Sequence, residues 1–221
     1  VTNENGALGR VVLGDQVKKY VIEAIMSGEF QPGDRVVASS LARQLGVSQA
    51  PVREAIRDLV LLGFLEAEPF KGTSVRSFSA KELYEVYTVR ASLESLAARL
   101  AAERLTDEDV YELKCTLDKM IRAAQEQDEE GMVRLDNRFH ETILQISDNQ
   151  LLYQLWQTLQ FGYWTIVTAR SSSYDLEELA RRHEALLEAL ATRDPQKAAA
   201  AMQRHIEDLG KPPEDLASAH D

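Results

Sequence analysis

Two groups of side chains in this 221-residue chain have the types and spacing to do chemistry. Asp136 and His140 stand four apart in LDNRFHETIL, which puts a carboxylate and an imidazole on one helical face. Such a pair can hold a metal ion. His183 lies in ARRHEALLEAL, on the side carrying Leu176, Leu179 and Leu187, and His205 lies near Met202 and Leu209. On spacing alone each histidine has two readings, a ligand or a satisfied helical side chain, and the second is commoner. The second group is Gln49, Arg53 and Arg57, spaced i, i+4, i+8. Side chains of these types read base edges in a DNA major groove. Arg90 is a further candidate, since its guanidinium either pairs with Glu94 or clamps a ligand carboxylate.

The elements that must carry these residues follow from pattern. In Leu41–Gly63, Leu41, Ala42 and Leu45 form one apolar helical face, and Gly46 stops the helix. Val47 reads as a buried pivot. Ser48 is placed to N-cap a second helix, Pro51 sits in its first turn, and Val52, Ala55, Ile56, Leu59 and Val60 form its apolar face. Gln49, Arg53 and Arg57 then occupy the opposite face, the layout of a helix-turn-helix. An ordinary helical hairpin would show the same apolar spacing. Phe64–Glu68 and Thr73–Arg76 read as short strands around Pro69–Gly72.

Val12–Ser27 reads as a first helix ended by Gly28, with a turn at Gln31–Asp34. After a boundary near Ser77–Ser79 the chain turns almost wholly helical. Ser79–Glu82 is a capping box opening a helix to Ala102, and Thr106–Asp109 opens a second to Gln127. Further helices are expected over Glu129–Ser147, Asn149–Arg170, Asp175–Arg193 and Pro195–Leu209. Arg90 lies on the stripe Leu83–Tyr87–Arg90–Glu94–Ala97, flanking an apolar face of Val86, Val89, Leu93 and Leu96. The tail from Gly210 is expected to be disordered, and His220 within it is a poor ligand candidate.

Composition narrows the class. With 44% hydrophobic and 28% charged residues, the chain is that of a soluble globular protein. Residues 1–78 are neutral, with 9 basic and 9 acidic side chains, whereas residues 79–221 carry the whole net charge of −11. DNA contact must therefore be confined to a locally basic surface. Cys115 is the lone cysteine, and with no secretory signal at the start a reducing cytoplasm is expected. Residues 149–169 are uncharged, but Asn149, Gln150, Gln154, Gln157 and Gln160 argue against a membrane span. Leu151, Leu152, Leu155, Trp156, Leu159, Tyr163 and Ile166 instead have the spacing of an interior or interface helix. Enzyme signatures are missing: residues 140–144 lack the second histidine of HExxH, and no phosphate loop or nucleophile motif occurs.

The run LARQLGVSQAPVREAI, followed by LVLLGFLEAEPFKGTSV, resembles the winged helix-turn-helix of GntR-family bacterial transcriptional regulators over residues 8–78. VRASLESLAARLAA, LDNRFHETIL with Asn149, RHEALLEAL with Arg193 and Asp194, and the final RHI resemble the FCD effector domain of its FadR subfamily. The resemblance implies a mainly α protein: an N-terminal winged helix-turn-helix (1–78), a six-helix antiparallel bundle (79–209) and a tail (210–221). It implies a metal site of Asp136, His140, His183 and His205. That donor set suits Zn²⁺, Ni²⁺, Co²⁺ or Mn²⁺, with Zn²⁺ or Ni²⁺ favoured, and not Ca²⁺ or Mg²⁺. Arg90 would face an effector cavity, with Tyr163 and Trp164 as further lining candidates.

The resemblance further implies DNA contacts by Ser39, Arg43, Ser48, Gln49, Arg53, Arg57, Lys71 and Gly72, with Gly72 at the wing tip near the minor groove. Its usual pattern has arginine at two of these positions, where this chain has Ser39 and Gln49. Because glutamine pairs with adenine and arginine with guanine, the base facing Gln49 should differ from the family's guanine. The expected function is a homodimeric regulator, not an enzyme, that binds a pseudo-palindromic double-stranded operator. A small organic acid bound near the metal would alter that binding. The alternatives are a regulator for which the metal itself is the signal, or a helical metalloenzyme.

Overall fold

The computed structural model describes residues 4–77, 79–159, 164–165 and 175–210. The chain divides into two compact units, Val1–Phe78 and Ser79–Asp221. The expectation of a disordered tail, and those for Tyr163, Ile166 and His220, fall outside the described residues.

The first unit is built on α1 (Glu4–Met26), α2 (Ala38–Leu45) and α3 (Gln49–Leu61). Helix α1 packs on α3, burying Val17, Val21 and Ile25 of the first and Val52, Ala55 and Leu59 of the second, and Leu41, Phe64 and Val75 are buried in the same unit. Apolar burial of this kind is the main force holding so small a unit together. Gly46 ends α2 in the left-handed conformation, at φ 67°. That turn aims α3 away from α2, and all three polar residues of its outer face, Gln49, Arg53 and Arg57, are exposed. Two local expectations need correction. Ser48 holds the N-cap position, but its side chain makes no capping hydrogen bond. Val47 is half-buried, because only one side of the corner is covered.

The wing pairs β1 (Leu65–Glu68) with β2 (Gly72–Val75) antiparallel, from Leu65 opposite Val75 to Glu68 opposite Gly72. Residues 33–36, which the sequence marked only by a turn, add a third line. The N–H of Gly33 donates to the Val75 carbonyl (2.8 Å), that of Val75 to Asp34 (2.9 Å), and that of Val36 to Thr73 (2.9 Å). A two-stranded ribbon alone is marginal, so this extra pairing anchors the wing.

The second unit is a helical bundle: α4 (Ala80–Ala102), α5 (Asp107–Gln125), α6 (Glu129–Ile146), α7 (Gln150–Leu159), α8 (Leu176–Ala191) and α9 (Pro195–Gly210). Capping explains each start. Ser79 and Thr106 form capping boxes with Glu82 and Asp109. The carboxylate of Asp128 accepts from the Gly131 N–H (2.9 Å), and the Asn149 side chain accepts from that of Leu152 (3.1 Å). The tight turns between helices carry Gln127, Asp148 and Arg193 at positive φ. Arg193 is held there by donating to the Leu105 carbonyl (2.9 Å) and by pairing with Asp107.

The burial of α4 reverses the expected one. Tyr87, Arg90, Ala91, Glu94, Ala97 and Ala98 are buried, whereas Val89 is exposed and Val86, Leu93 and Leu96 are half-buried. Alanines let α4 and α9 pack closely, with Ala198 and Met202 buried on the α9 side. The polar residues of the stripe can be buried because they find partners in the bundle. On α7, Leu152 and Trp156 are buried, while Leu151, Leu155 and Leu159 stay exposed.

Candidate metal centre and nucleic-acid interface

Three bundle helices bring the imidazoles of His140 (α6), His183 (α8) and His205 (α9) together. All are buried, and one ligand atom from each lies within 4.8 Å of the others. Asp136, also buried, joins them one turn before His140 on α6. Its Oδ1 is 3.1 Å from His183 Nε2 and 3.9 Å from His140 Nε2.

Hydrogen bonding decides what these atoms can do. His183 Nδ1 lies 3.0 Å from the Ala180 carbonyl, which only accepts, so Nδ1 carries the proton. His140 Nδ1 lies 2.5 Å from Glu94 Oε2, and neither atom has another hydrogen-bond partner; Nδ1 therefore donates to the carboxylate. In the neutral rings both Nε2 atoms then carry lone pairs, and these two atoms are only 3.3 Å apart. With Asp136 Oδ1 beside them, acceptors converge on one place. Such an arrangement needs either a proton on one ring or a cation. His205 adds a buried Nδ1 with no hydrogen-bond partner. Burial, reinforced by the neighbouring imidazoles and by Arg182 and Arg90, pushes its pKa well below the ordinary histidine value, so it is neutral as a ligand must be.

A ring of partners that sequence reasoning missed surrounds this set. Glu94 Oε1 accepts from Arg90 Nε (2.7 Å) and from Trp156 Nε1 (3.0 Å), while Oε2 faces His140. Burial pushes the Glu94 carboxyl up, but the charge of Arg90 and the hydrogen bond from His140 outweigh this and hold it at about 2. Asp136 is pushed up by burial as well, but the close approach of His183 and the neighbouring Arg90 guanidinium hold it below the usual carboxylate range. The one signal for Glu94 in the sequence was its i, i+4 relation to Arg90, and nothing local linked it to His140. Thr165 was missed altogether; its hydroxyl accepts from Arg90 (2.9 Å) and lies 3.4 Å from Asp136 Oδ2.

The structure places Arg90 beside this centre, buried, with one guanidinium nitrogen 3.9 Å from Asp136 Oδ2. Both readings of Arg90 are thus compatible: it pairs with Glu94 and stands next to the acceptor cluster. Trp164 is buried, and its backbone carbonyl accepts from the Tyr87 hydroxyl (3.3 Å).

In the first unit Ser39, Arg43, Ser48, Gln49, Arg53, Arg57, Lys71 and Gly72 are all exposed. Arg53 donates to Gln49 Oε1 (2.9 Å), linking the first two residues of the reading face. Arg53, Lys71 and Gly72 also line a recess of about 350 Å³, together with Arg35, which sequence reasoning had passed over. Lys71 is paired with Glu68 at 2.6 Å.

A winged helix-turn-helix with a polar reading face, in one chain with a helical bundle that encloses an acceptor cluster, defines a class of DNA-binding regulators. Residues 13–75 match the family described as bacterial regulatory proteins, gntR family, and residues 85–208 match the FCD domain. The chain belongs to the GntR family of transcriptional regulators, in the FadR subfamily that carries this C-terminal domain. It is 33% identical over 192 residues to the Nta operon transcriptional regulator of Aminobacter aminovorans, a match covering 82% of this chain and 85% of that one. It is 31% identical to the transcriptional regulator McbR of Escherichia coli (strain K12), over 86% of this chain and 87% of that one. The solved structure of E. coli McbR/YncC superposes with a TM-score of 0.72 at 28% identity, covering 89% and 96% of the two chains. These relatives are regulators rather than enzymes. No described helix is long and apolar enough to cross a membrane.

Proposed function

We propose that this regulator binds a divalent transition metal through Asp136, His140, His183 and His205, and that a small organic acid bound beside it alters operator binding. The observation that carries the reading is the 3.3 Å approach of two lone-pair-bearing Nε2 atoms next to Asp136 Oδ1. A bound ion would supply a positive centre for an anionic ligand. Three imidazoles and one carboxylate suit Zn²⁺ or Ni²⁺, with Co²⁺ and Mn²⁺ as alternatives. Glu94 holds the tautomer and orientation of His140, as outer partners of metal-binding histidines do. Arg90 adds a fixed guanidinium for the carboxylate of the effector, and Trp164 and Tyr163 are the further lining candidates.

Operator contacts are assigned to Gln49, Arg53 and Arg57 on α3, to Ser39, Arg43 and Ser48 near the corner, and to Lys71 and Gly72 of the wing. A homodimer would present two such faces to a pseudo-palindrome. The exposed stripe Leu151, Leu155 and Leu159 on α7 is the surface such a dimer would bury. One observation favours a metal-only signal instead: Arg90 is already engaged by Glu94 and Thr165.

Elemental analysis of the native protein and of Asp136→Ala and His183→Ala tests the site. Stoichiometric metal in the first and its loss from both variants is expected; equal content in all three rejects the assignment. Operator binding measured with metal alone, and then with metal plus small carboxylates, separates the two signals.

A further inference from the structure

We infer that Phe70 is an apolar wedge that enters the operator's minor groove from the tip of the wing. The ring is fully exposed, at 109% of its reference area, the most exposed large apolar side chain among the described residues. Its backbone is as unusual as its exposure. Pro69 and Phe70 are the central residues of a turn in which the Lys71 N–H donates to the Glu68 carbonyl (3.2 Å), and Phe70 has φ 66°. Proline first and a positive φ second define a type II turn, whose second position suits glycine or asparagine. A bulky aromatic there is strained, and it gains no contact within its own unit in return. Strain kept without intramolecular benefit points to an external partner.

The surroundings say which partner. Lys71 and Gly72, next in the chain, line the same recess as Arg53 of the reading helix and Arg35, so the residues that follow Phe70 belong to a concave face whose basic side chains suit a phosphate backbone. Each wing strand has four residues. At about 3.3 Å per residue the hairpin reaches about 13 Å, close to the ~12 Å width of a major groove, which carries its tip toward the neighbouring minor groove. An apolar side chain delivered there can push between base steps, unstack them and bend the duplex, most easily at pyrimidine–purine steps. The wing would then read deformability where α3 reads base edges.

The inference rests on the chain being a DNA-binding regulator, and the test separates the two. The full-length protein selects a duplex from a random pool, and 2-aminopurine is then placed at successive wing-facing positions. Wild type and Phe70→Leu should raise the fluorescence at one step, and the selected sequences should favour TA or CA/TG there. Phe70→Gly should lose the fluorescence rise and bind about tenfold more weakly, the loss expected for one stacked ring. Because glycine relieves the positive φ, the same variant should unfold at an equal or higher temperature, which excludes misfolding as the cause. Unchanged affinity and fluorescence in Phe70→Gly would overturn the wedge while leaving DNA binding intact. A changed oligomeric state of DNA-free Phe70→Gly in sedimentation would also overturn it, by giving the ring a protein partner. Failure of wild type to select any duplex would overturn both readings.

Discussion

Replacing Glu94 by glutamine should disable a metal site that it does not itself touch. The side chain is fully buried, and Oε1 accepts two hydrogen bonds, from Arg90 Nε and Trp156 Nε1. The amide oxygen of glutamine must stay there, since both partners only donate. Its NH₂ group is then left facing His140 Nδ1, where Glu94 Oε2 had accepted. Two donors cannot face each other, so His140 must move its proton to Nε2, the atom that should carry the lone pair. One ligand is thereby blocked without a change in size. Loss of an outer partner typically lowers metal affinity about 10- to 100-fold, and the upper part of that range is expected because the tautomer itself is wrong.

The same change leaves the Arg90 charge less compensated. Breaking a buried pair costs about 3–5 kcal/mol. The retained amide oxygen and Asp136, 3.9 Å from Arg90, favour the lower end. A loss of about 3 kcal/mol corresponds to a fall of about 10 °C in unfolding temperature for a unit of this size. Calorimetric titration of chelated protein with Zn²⁺ or Ni²⁺, alongside urea denaturation, measures both effects. Trp156→Phe is the control, because it removes one hydrogen bond to Oε1 from an uncharged donor and leaves Oε2 in place. If Glu94→Gln destabilises the bundle yet binds metal within about twofold of the wild type, the tautomer reasoning is wrong.

Three other outcomes are expected. Burial raises the Glu94 carboxyl but Arg90 and His140 hold it at about 2 in the fold, against an ordinary 4.5, so its stabilisation is complete above pH 4.5 and lost as pH falls toward 2. The stability gap between wild type and Glu94→Gln should therefore narrow over that window; a pH-independent gap contradicts it. Gly46→Ala should destabilise the first unit by about 1–2 kcal/mol through its φ of 67° alone, since no atom lies within 4 Å of the added Cβ; denaturation of the variant checks this. Sequence selection should return a base other than guanine opposite Gln49, with the preference changed in Gln49→Ala. To pair with adenine, the Gln49 oxygen must first release Arg53, so Arg53→Ala should weaken binding without weakening that preference.

Local pattern was enough for the elements. Capping boxes at Ser79 and Thr106, the glycine after α2 and the i, i+4 spacing of α3 depend on neighbours within one helical turn, so they can be read along the chain. The third line of the wing at residues 33–36 could not be read this way, because its partners lie some 40 residues away and its short run has no period of its own. The face of α4 was inverted for a related reason. Val86, Val89, Leu93 and Leu96 look like a core stripe by hydropathy, but alanines allow closer helix packing and the charges on their stripe cancel within the bundle.

The sequence by itself determined two amphipathic helices with Gln49, Arg53 and Arg57 on one face and an Asp136–His140 pair one turn apart, and its resemblance to a known family supplied the class and joined His183 and His205 to that pair. The faces and the pair are set by residue type and short-range spacing. Only the tertiary structure decided that Glu94 faces His140, that two Nε2 atoms meet beside Asp136, that Arg90 lies next to them, and that Phe70 stands bare on a strained turn. Each depends on how separate helices and strands pack, and packing depends on long-range fit that no local pattern records.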